Sequence, residues 1–259
     1  MTTQRKTVRT TKRRGRILPR DLAALALIGK WKCIARYHLK AWIFSEVSDT
    51  MASRFVERMT DRGYLGAKRL NGIGTQLLWL TPAGRDFLCE YGTHAEMLFP
   101  ARSAVSLKDL DHTLAIVSAG FALTQRFPAA DAILPAWAVQ RAFGGRIDAI
   151  PDVLLVSRAD QVLLAVEIDV GGEPLNALAT KLAEVADRLL AKWSANARAG
   201  IIVLTSGERR AMNIIAAVAD SIPPVIAVAA DVLPQLDGPG SLGAFSAVFA
   251  NEEGSREPF

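Results

Sequence analysis

The chain has 259 residues, half of them hydrophobic, and a formal net charge of +5. This length and composition allow two domains with buried cores. No uncharged apolar run approaches the roughly twenty residues that span a bilayer, so we expect no membrane-spanning helix. The two cysteines, Cys33 and Cys89, have neither the number nor the spacing of a zinc site, and they are typical of reduced thiols in a cytoplasmic protein.

Charge is distributed unevenly along the chain. Residues 1–92 contain 18 Lys plus Arg against 7 Asp plus Glu, and the remainder contains 13 against 19, so the two parts carry +11 and −6. The basic half is the half expected to meet a polyanion.

The first twenty residues contain eight Lys or Arg, with Arg13 and Arg14 among them, and no acid. A signal peptide is not expected, because Pro19 and Asp21 interrupt its start and the apolar run that follows is short. We expect residues 1–17 to form a basic disordered arm whose cations follow DNA phosphates, with a solubilising tail as the alternative.

The next part of the chain predicts three helices, a hairpin and a closing helix. The helices are expected over Pro19–Gly29, Cys33–Phe44 and Asp49–Arg62, the last one capped by Ser48 and turning Phe55, Val56 and Met59 inward. Two short strands separated by Asn71-Gly-Ile-Gly74 follow, and Thr81-Pro82 opens the closing helix. This order is that of a winged helix-turn-helix domain, which we place at residues 18–98.

In a winged domain of this kind, the third helix lies in the major groove with its N-terminal residues near base edges. The candidates for DNA contact are Thr50, Ser53, Arg54, Arg58, Lys68 and Arg69. The first three would face bases, and an arginine–guanine pair is worth about 1–3 kcal/mol of discrimination. Arg58 and the two hairpin cations would hold phosphates. The alternative is a solvated face on a domain that binds protein, but the positive charge favours double-stranded DNA.

Beyond Pro100 the pattern predicts an α/β domain with a mixed sheet at residues 103–236, followed by a flexible tail at 237–259. The expected elements are a long helix over Ser106–Phe127, a short strand and helix within Asp131–Phe143, two strands over 151–156 and 162–169, a helix over Glu173–Trp193, a strand over Gly200–Thr205, a helix over Glu208–Ala219 and a strand over Pro224–Ala229.

Carboxylates stand where two of these buried strands end. If the turn between the strands centres near residues 159 and 160, Asp152 lies opposite Glu167, and Asp169 shares their face because strand side chains alternate. Three carboxylates would then converge, either around a divalent metal or in a polar network tied to Arg or Lys. Lys181 lies about a quarter turn from the apolar stripe of the following helix. It either reaches back toward the carboxylates or flanks a solvated face.

Several segments together resemble the replication-relaxation family of plasmids and integrative elements, over residues 18–230. They are the winged segment RGYLGAKRLNGIGTQLLWLTPAGRDFL, the helix DLDHTLAIVSAGFAL with His112, RIDAIPDVLLV, LLAVEIDVGGEPLNALATKLAEVADRL and GIIVLTS. The resemblance implies a winged helix-turn-helix joined to a restriction-endonuclease-like α/β domain of the PD-(D/E)xK type, related to MOBC-type conjugative relaxases. Asp152 then matches the PD aspartate and Glu167 the (D/E) position.

The departure from this pattern is Asp169, which stands where such nucleases usually have Lys. Phosphodiester hydrolysis at these sites uses Mg²⁺ or Mn²⁺, held here by Asp152, Glu167 and Asp169, and an ammonium beside the attacking water. Lys181 would supply that ammonium, or the site has decayed into a scaffold. His112 is a candidate base, although a lone histidine on an apolar helix is more often a core residue.

The sequence therefore leaves two functions open. The first is a DNA-binding protein of a plasmid or integrative element that recognises an origin or operator, in DNA processing, relaxosome assembly or transcription control. The second is a metal-dependent DNA nickase. The expected partners are double-stranded DNA and relaxosome or conjugation proteins, without a membrane. A homodimer is also expected wherever half-sites are paired.

Overall fold

A computed structural model describes residues 16–70, 75–102, 109–143, 149–190, 198–219, 221–222, 226–232, 248–250 and 256–258. Within these ranges the chain forms a mixed α/β structure with eight α-helices. The predicted arm cations Arg13 and Arg14, and the hairpin turn 71–74, lie outside them. No helix of the described residues is both long and apolar enough to cross a membrane.

The N-terminal half builds helices around a small antiparallel sheet. Its elements are α1 (Pro19–Lys30), β1 (Ile34–Ala35), α2 (Arg36–Ile43), α3 (Asp49–Asp61), β2 (Leu65–Arg69), β3 (Gln76–Leu80) and α4 (Pro82–Glu90). The strand order is β1-β3-β2, and β3 pairs antiparallel with both neighbours. Thr81 caps α4 as predicted, because its side chain accepts a hydrogen bond from the Gly84 N–H.

One prediction for this half was wrong. The second helix was expected to begin at Cys33, but Ile34 and Ala35 are extended and pair with Leu78 and Leu77 of β3. Both strand residues are fully buried, so their apolar character fits a strand as well as a helix. The residues predicted to form the first turn of this helix therefore form the third strand of the sheet.

Helix α3 places its apolar stripe as predicted. Phe55, Val56 and Met59 are buried together with Ala52, whereas Thr50 and Arg54 are exposed. Ser48 occupies the N-cap position, but its side chain makes no capping hydrogen bond. The apolar stripe holds α3 against the half's own core and leaves one polar face toward solvent.

The C-terminal half is a five-stranded sheet between helices. Its elements are α5 (Leu110–Arg126), β4 (Ala132–Pro135), α6 (Ala136–Ala142), β5 (Val153–Ser157), β6 (Val162–Asp169), α7 (Leu175–Val185), β7 (Arg198–Thr205), α8 (Glu208–Val218) and β8 (Ala227–Val232). The order is β4-β5-β6-β7-β8, with β4, β5 and β6 antiparallel in turn, and β6, β7 and β8 parallel. The mixed sheet is thus confirmed. A π-helical turn, Ala186–Leu190, follows α7.

Two short strands, β9 (Val248–Ala250) and β10 (Arg256–Pro258), lie within the segment predicted to be a flexible tail. They pair antiparallel with each other.

Opposite faces of the sheet belong to different cores. Leu154, Leu163 and Ile201 pack with Leu178 and Leu182 of α7. Side chains of the opposite parity, such as those of Val153, Leu164 and Ile202, pack with α5 in a core that continues into the N-terminal half. Because the residues of a strand alternate between faces, α7 covers the face to which Glu167 and Asp169 belong.

Helix α5 joins the two halves. Trp42 of α2 meets Phe121 of α5 edge to face, with ring centroids 4.9 Å apart. A Cβ at Gly120 would lie 2.4 Å from Trp31, so only glycine allows this close approach. The buried His38 side chain contacts Ser118 Oγ at 2.8 Å. Residues 18–98 and 103–236 therefore share packing rather than standing apart.

Candidate DNA interface and carboxylate site

The exposed face of α3 carries the residues predicted to contact bases. Thr50 and Arg54 are exposed and project from its N-terminal half. Ser53 is partly buried, donates to the Asp49 carbonyl at 2.9 Å and accepts from Arg36 Nη1 at 3.0 Å. The hydroxyl is thus already engaged within the protein. Arg36, at the start of α2, is a cation beside this face that the sequence did not identify.

Arg58, predicted to hold a phosphate, forms an ion pair with a buried acid of α1. Its Nη2 lies 2.5 Å from Oδ1 of Asp21, a carboxylate only 2% exposed in its side chain. The Leu18 N–H also donates to Asp21, at 3.0 Å. Because a buried carboxylate is stable only with a partner, Arg58 serves first as the bond between α3 and α1.

The two hairpin cations are exposed, as predicted. Lys68 and Arg69 end β2, and Arg69 pairs with Gln76 at the last register position beside the turn. Their predecessor Leu65 is buried opposite Leu80, so the base of the hairpin is anchored in the core while its end projects outward.

Asp152 lies opposite Glu167, as the turn predicted. Val153 pairs with Val166 and Ser157 with Val162, and the same register continued by one residue joins the two acids. Asp152 Oδ2 accepts from the Ile168 N–H at 2.9 Å. This bond fixes the carboxylate against the end of β6.

His112 contacts the same carboxylate from α5. Its Nε2 lies 3.1 Å from Asp152 Oδ2 and 3.0 Å from the Ile168 carbonyl oxygen. Both of these atoms are acceptors, so Nε2 carries a proton and donates to them. The hydrogen bond to Asp152 raises the pKa of His112 although burial opposes the shift. The histidine is thus part of the carboxylate site rather than a core residue.

Glu167 is almost fully buried and meets Lys181. The Lys181 ammonium donates to Oε1 across from α7, whereas Oε2 is buried without a hydrogen-bond partner within the described structure. Burial, followed by the charge of Asp152, raises the pKa of Glu167 to about 8, and Lys181 opposes the shift. The carboxylate in turn raises the pKa of Lys181 despite partial burial. The sequence left open whether Lys181 faces these acids, and it does.

Asp169 does not join this group, contrary to the predicted three-carboxylate set. Arg210 of α8 donates to both of its oxygens, Thr205 Oγ1 donates at 3.0 Å, and the Gly171 N–H donates at 2.9 Å. Burial would raise the pKa of Asp169, but these donors, Arg210 first, hold it below its usual range. Gly171 has a φ of +93°, which favours glycine in the turn that brings this N–H back.

The three carboxylates therefore separate into the Asp152–Glu167 pair and Asp169, which is bound by Arg210. Within the described part of the chain, no three His, Cys, Asp or Glu side chains come together to hold a metal ion. Arg210 explains why Asp169 stays apart, because it donates to both of the Asp169 oxygens that a metal ion would need. A divalent cation would instead be held by Asp152 and Glu167. This pair fits, because Glu167 Oε2 lacks a partner and Mg²⁺ is commonly bound by one or two carboxylates plus substrate phosphates.

The positioning cation Arg210 could not be identified from sequence spacing, because it lies 41 residues beyond Asp169. The only signal was an arginine near the start of the helix that follows β7, since successive parallel strands bring such helix ends to one edge of the sheet.

Comparison with known proteins identifies the family. A search of curated proteins and a search of solved structures each found no match. The sequence model described as replication-relaxation matches residues 25–205, which is well over half of the chain. The match runs from within α1 to the end of β7 and so includes α3, the hairpin and the Asp152–Glu167 site. The chain belongs to the replication-relaxation family.

Proposed function

We propose that the protein binds double-stranded DNA through residues 18–98, acting as a winged helix-turn-helix domain. The observation that carries the proposal is the polar face of α3, which is exposed at Thr50 and Arg54 while the opposite face is buried. Element order supports it, because three helices with a three-stranded antiparallel sheet and a projecting hairpin match this class of DNA reader.

The distribution of cations supports the same surface. Arg36 donates to Ser53 on α3. Lys68 and Arg69 lie exposed at the end of β2, beside the hairpin turn. In this arrangement α3 enters the major groove, Arg54 contacts a base edge, and the hairpin cations contact phosphates. Arg58 retains its bond to Asp21 and holds α3 at a fixed angle to α1.

The family assignment supports a role in DNA processing on a plasmid or another mobile element. Within that role we propose an origin or operator as the target, with relaxosome assembly or transcription control as the consequence of binding. Paired half-sites would require two copies of the chain, and relaxosome or conjugation proteins would be further partners.

The direct test is selection of bound sequences from a random duplex library, followed by fluorescence anisotropy on the selected duplex and a scrambled one. The proposal expects tighter binding of the selected duplex and a steep fall in affinity for both duplexes as salt rises. If neither duplex binds at low salt, the proposal is wrong.

A second function, metal-dependent nicking of that DNA, is favoured by one specific observation. Within the described residues, Glu167 presents a buried oxygen without a hydrogen-bond partner beside Asp152, while its other oxygen accepts from the Lys181 ammonium. Mg²⁺ or Mn²⁺ bound by the two carboxylates would activate water and neutralise developing charge on the phosphate. In this proposal the domain is PD-(D/E)xK-like, and Lys181 supplies from α7 the cation that Asp169 cannot.

The surrounding residues would support such a reaction by position. His112 holds Asp152 through Oδ2, and Arg210 binds both oxygens of the charged Asp169. Of the three carboxylates in the described structure, Asp152 and Glu167 therefore remain open to a ligand. Lys181 would stabilise negative charge on a bound phosphate. Hydrolysis would add water to phosphorus, break one P–O ester bond and pass the proton released by water to the leaving oxygen.

A further inference from the structure

A cleft unrelated to the polar face of α3 opens between α4 and α6. It has a volume of about 740 Å³ and is lined by side chains from both halves of the chain, including Arg85, Phe99, Arg102, Trp137 and Arg141. This volume lies in the range of about 300–1,000 Å³ that is typical of pockets for small ligands. A ligand of the size of one nucleotide would fit within it.

Positive charge dominates the cleft. Arg85, Arg102 and Arg141 line it, and Asp86 offsets one of the three charges. Among the described residues none of these arginines forms a salt bridge, and the buried Arg85 Nε has no hydrogen-bond partner. Arginine donors left in this state favour an anion, and a phosphate matches the guanidinium fork.

Aromatic rings form the other part of the lining. Phe99 and Trp137 meet edge to face, with centroids 5.9 Å apart and planes at 79°. Trp137 Nε1 donates to the Lys30 carbonyl at 2.9 Å, which fixes the indole at the end of α1. Arg102 lies over the Phe99 ring at 5.5 Å. Arg85 Nη2 also donates to the Ala95 carbonyl at 3.5 Å. Fixed rings beside arginines that form no salt bridge within the described chain provide a stacking surface next to phosphate donors, which is the combination that holds single-stranded nucleic acid.

The cleft also lies next to the carboxylate site. Helix α6 begins beside Asp152, because the Ala136 N–H donates to the Asp152 carbonyl at 2.9 Å and Pro135 pairs with Val153. Trp137 is the next residue, whereas Arg85 belongs to α4 of the N-terminal half. The cleft thus shares α6 with the backbone of Asp152 and shares α4 with the N-terminal half.

We propose that this cleft binds one unpaired nucleotide of a DNA strand, with its phosphate on the arginines and its base stacked on Trp137. The proposal rests on DNA binding by residues 18–98. A free nucleotide has the same chemistry, but a cleft shared by the two halves beside the carboxylates favours a nucleotide within a strand.

The test uses two duplexes of the selected sequence, one fully paired and one ending in an unpaired extension that carries 2-aminopurine. Stacking in the cleft should quench 2-aminopurine and make the extended DNA bind about tenfold more tightly. Arg141→Glu and Arg102→Glu change exposed side chains, so the fold should persist. Each should abolish both effects. Arg209→Glu changes another exposed arginine, on α8, and serves as the control. It should preserve the quenching and the tighter binding, and it measures how much a charge reversal anywhere on the surface weakens DNA binding.

Three results would overturn the proposal. Equal affinity for the two DNAs, with unquenched 2-aminopurine and normal duplex binding, removes the cleft proposal and leaves the proposed function intact. Competition by free 2-aminopurine deoxynucleotide monophosphate as strong as that of the extended DNA would assign the cleft to a free nucleotide instead. Failure of the wild-type protein to bind either DNA would remove the proposed function as well.

Discussion

Asp152 lies opposite Glu167, one residue beyond the last pair of β5 and β6, Val153 with Val166. The two acids have different partners. Asp152 accepts from His112 and from the Ile168 N–H, whereas Glu167 meets Lys181 and keeps one buried oxygen without a partner in the described structure. Two carboxylates that share one buried site repel each other when both are ionised. The protonation state of Glu167 therefore depends on pH and on bound cations.

The contribution of Glu167 to the free energy of unfolding should fall as pH rises from about 4.5 to about 8, because burial raises the pKa of Glu167 to about 8. Buried His38 has the opposite effect between about pH 3 and 6.5, since burial lowers its pKa to about 3, so the Glu167 contribution has to be measured by comparing variants. A raised folded-state pKa means that the native state binds the proton more tightly, and this contribution is lost when Glu167 ionises. His112, whose pKa is also raised, adds a contribution of the same sign. Asp169 has a lowered pKa, so the stability that it contributes is lost only when the pH falls below the usual pKa of an aspartate.

Urea unfolding of the wild type and Glu167→Gln between pH 5 and pH 8.5 measures this contribution. The neutral amide imitates the protonated acid, so the stability of the variant relative to the wild type should increase with pH. Glu208→Gln, at an exposed position on α8, is the matched control and should show a constant difference. A difference between Glu167→Gln and the wild type that stays constant with pH would contradict the raised pKa.

Arg58→Ala should lower the free energy of unfolding by about 2 kcal/mol, because among the described residues it leaves the buried Asp21 carboxylate with the Leu18 N–H as its single donor. Arg54→Ala, one turn earlier on the same helix and at an exposed position, should change stability by less than about 0.5 kcal/mol. Urea denaturation of both variants makes the comparison. Equal stability of the two variants would show that Arg58 is not a structural partner.

Arg54→Ala should relax sequence preference in DNA binding, with a loss of about 1–3 kcal/mol on the selected duplex and a much smaller loss on a scrambled duplex. Thr60→Ala, at an exposed position near the other end of α3, serves as the control and should leave both affinities unchanged. Anisotropy titrations on the two duplexes give the result. Equal losses on both duplexes would refute base contact by Arg54.

If the carboxylate site is active, supercoiled plasmid incubated with the protein and Mn²⁺ should be converted to the nicked form. Asp152→Ala and Glu167→Ala should abolish this conversion, since each removes a carboxylate of the only pair open to a cation within the described site. Glu208→Ala should remain active. Plasmid that stays supercoiled while saturated with wild-type protein would leave DNA binding as the function and exclude nicking.

Local patterns in the sequence were enough to predict much of this fold. The β5–β6 register follows from a short turn between two apolar strands, which leaves a single pairing, and Asp152 is opposite Glu167 for that reason. The apolar spacing of α3 fixed its inward face in the same way. By contrast, β1 is only two residues long, too short to show a strand period.

Charge partners were harder to predict, because they depend on how distant elements pack. Asp21 is buried on α1, and only the packing of α3 against α1 shows that Arg58 supplies its cation. Strand parity placed Asp169 on the same face as Glu167, yet it could not show that Arg210 would occupy it. The prediction that Asp169 is the third carboxylate of the metal site was wrong for that reason.

The measurement that tests DNA binding most directly is the salt dependence of duplex affinity for the wild type and Lys68→Ala. Lys68 is exposed beside Arg69 at the end of the hairpin, where it would contact one phosphate. The account predicts weaker binding of selected and scrambled duplexes alike, and a log–log salt slope reduced by about 1 in Lys68→Ala. An unchanged slope with unchanged affinity in Lys68→Ala, or a wild-type protein whose duplex binding does not respond to salt, would contradict it.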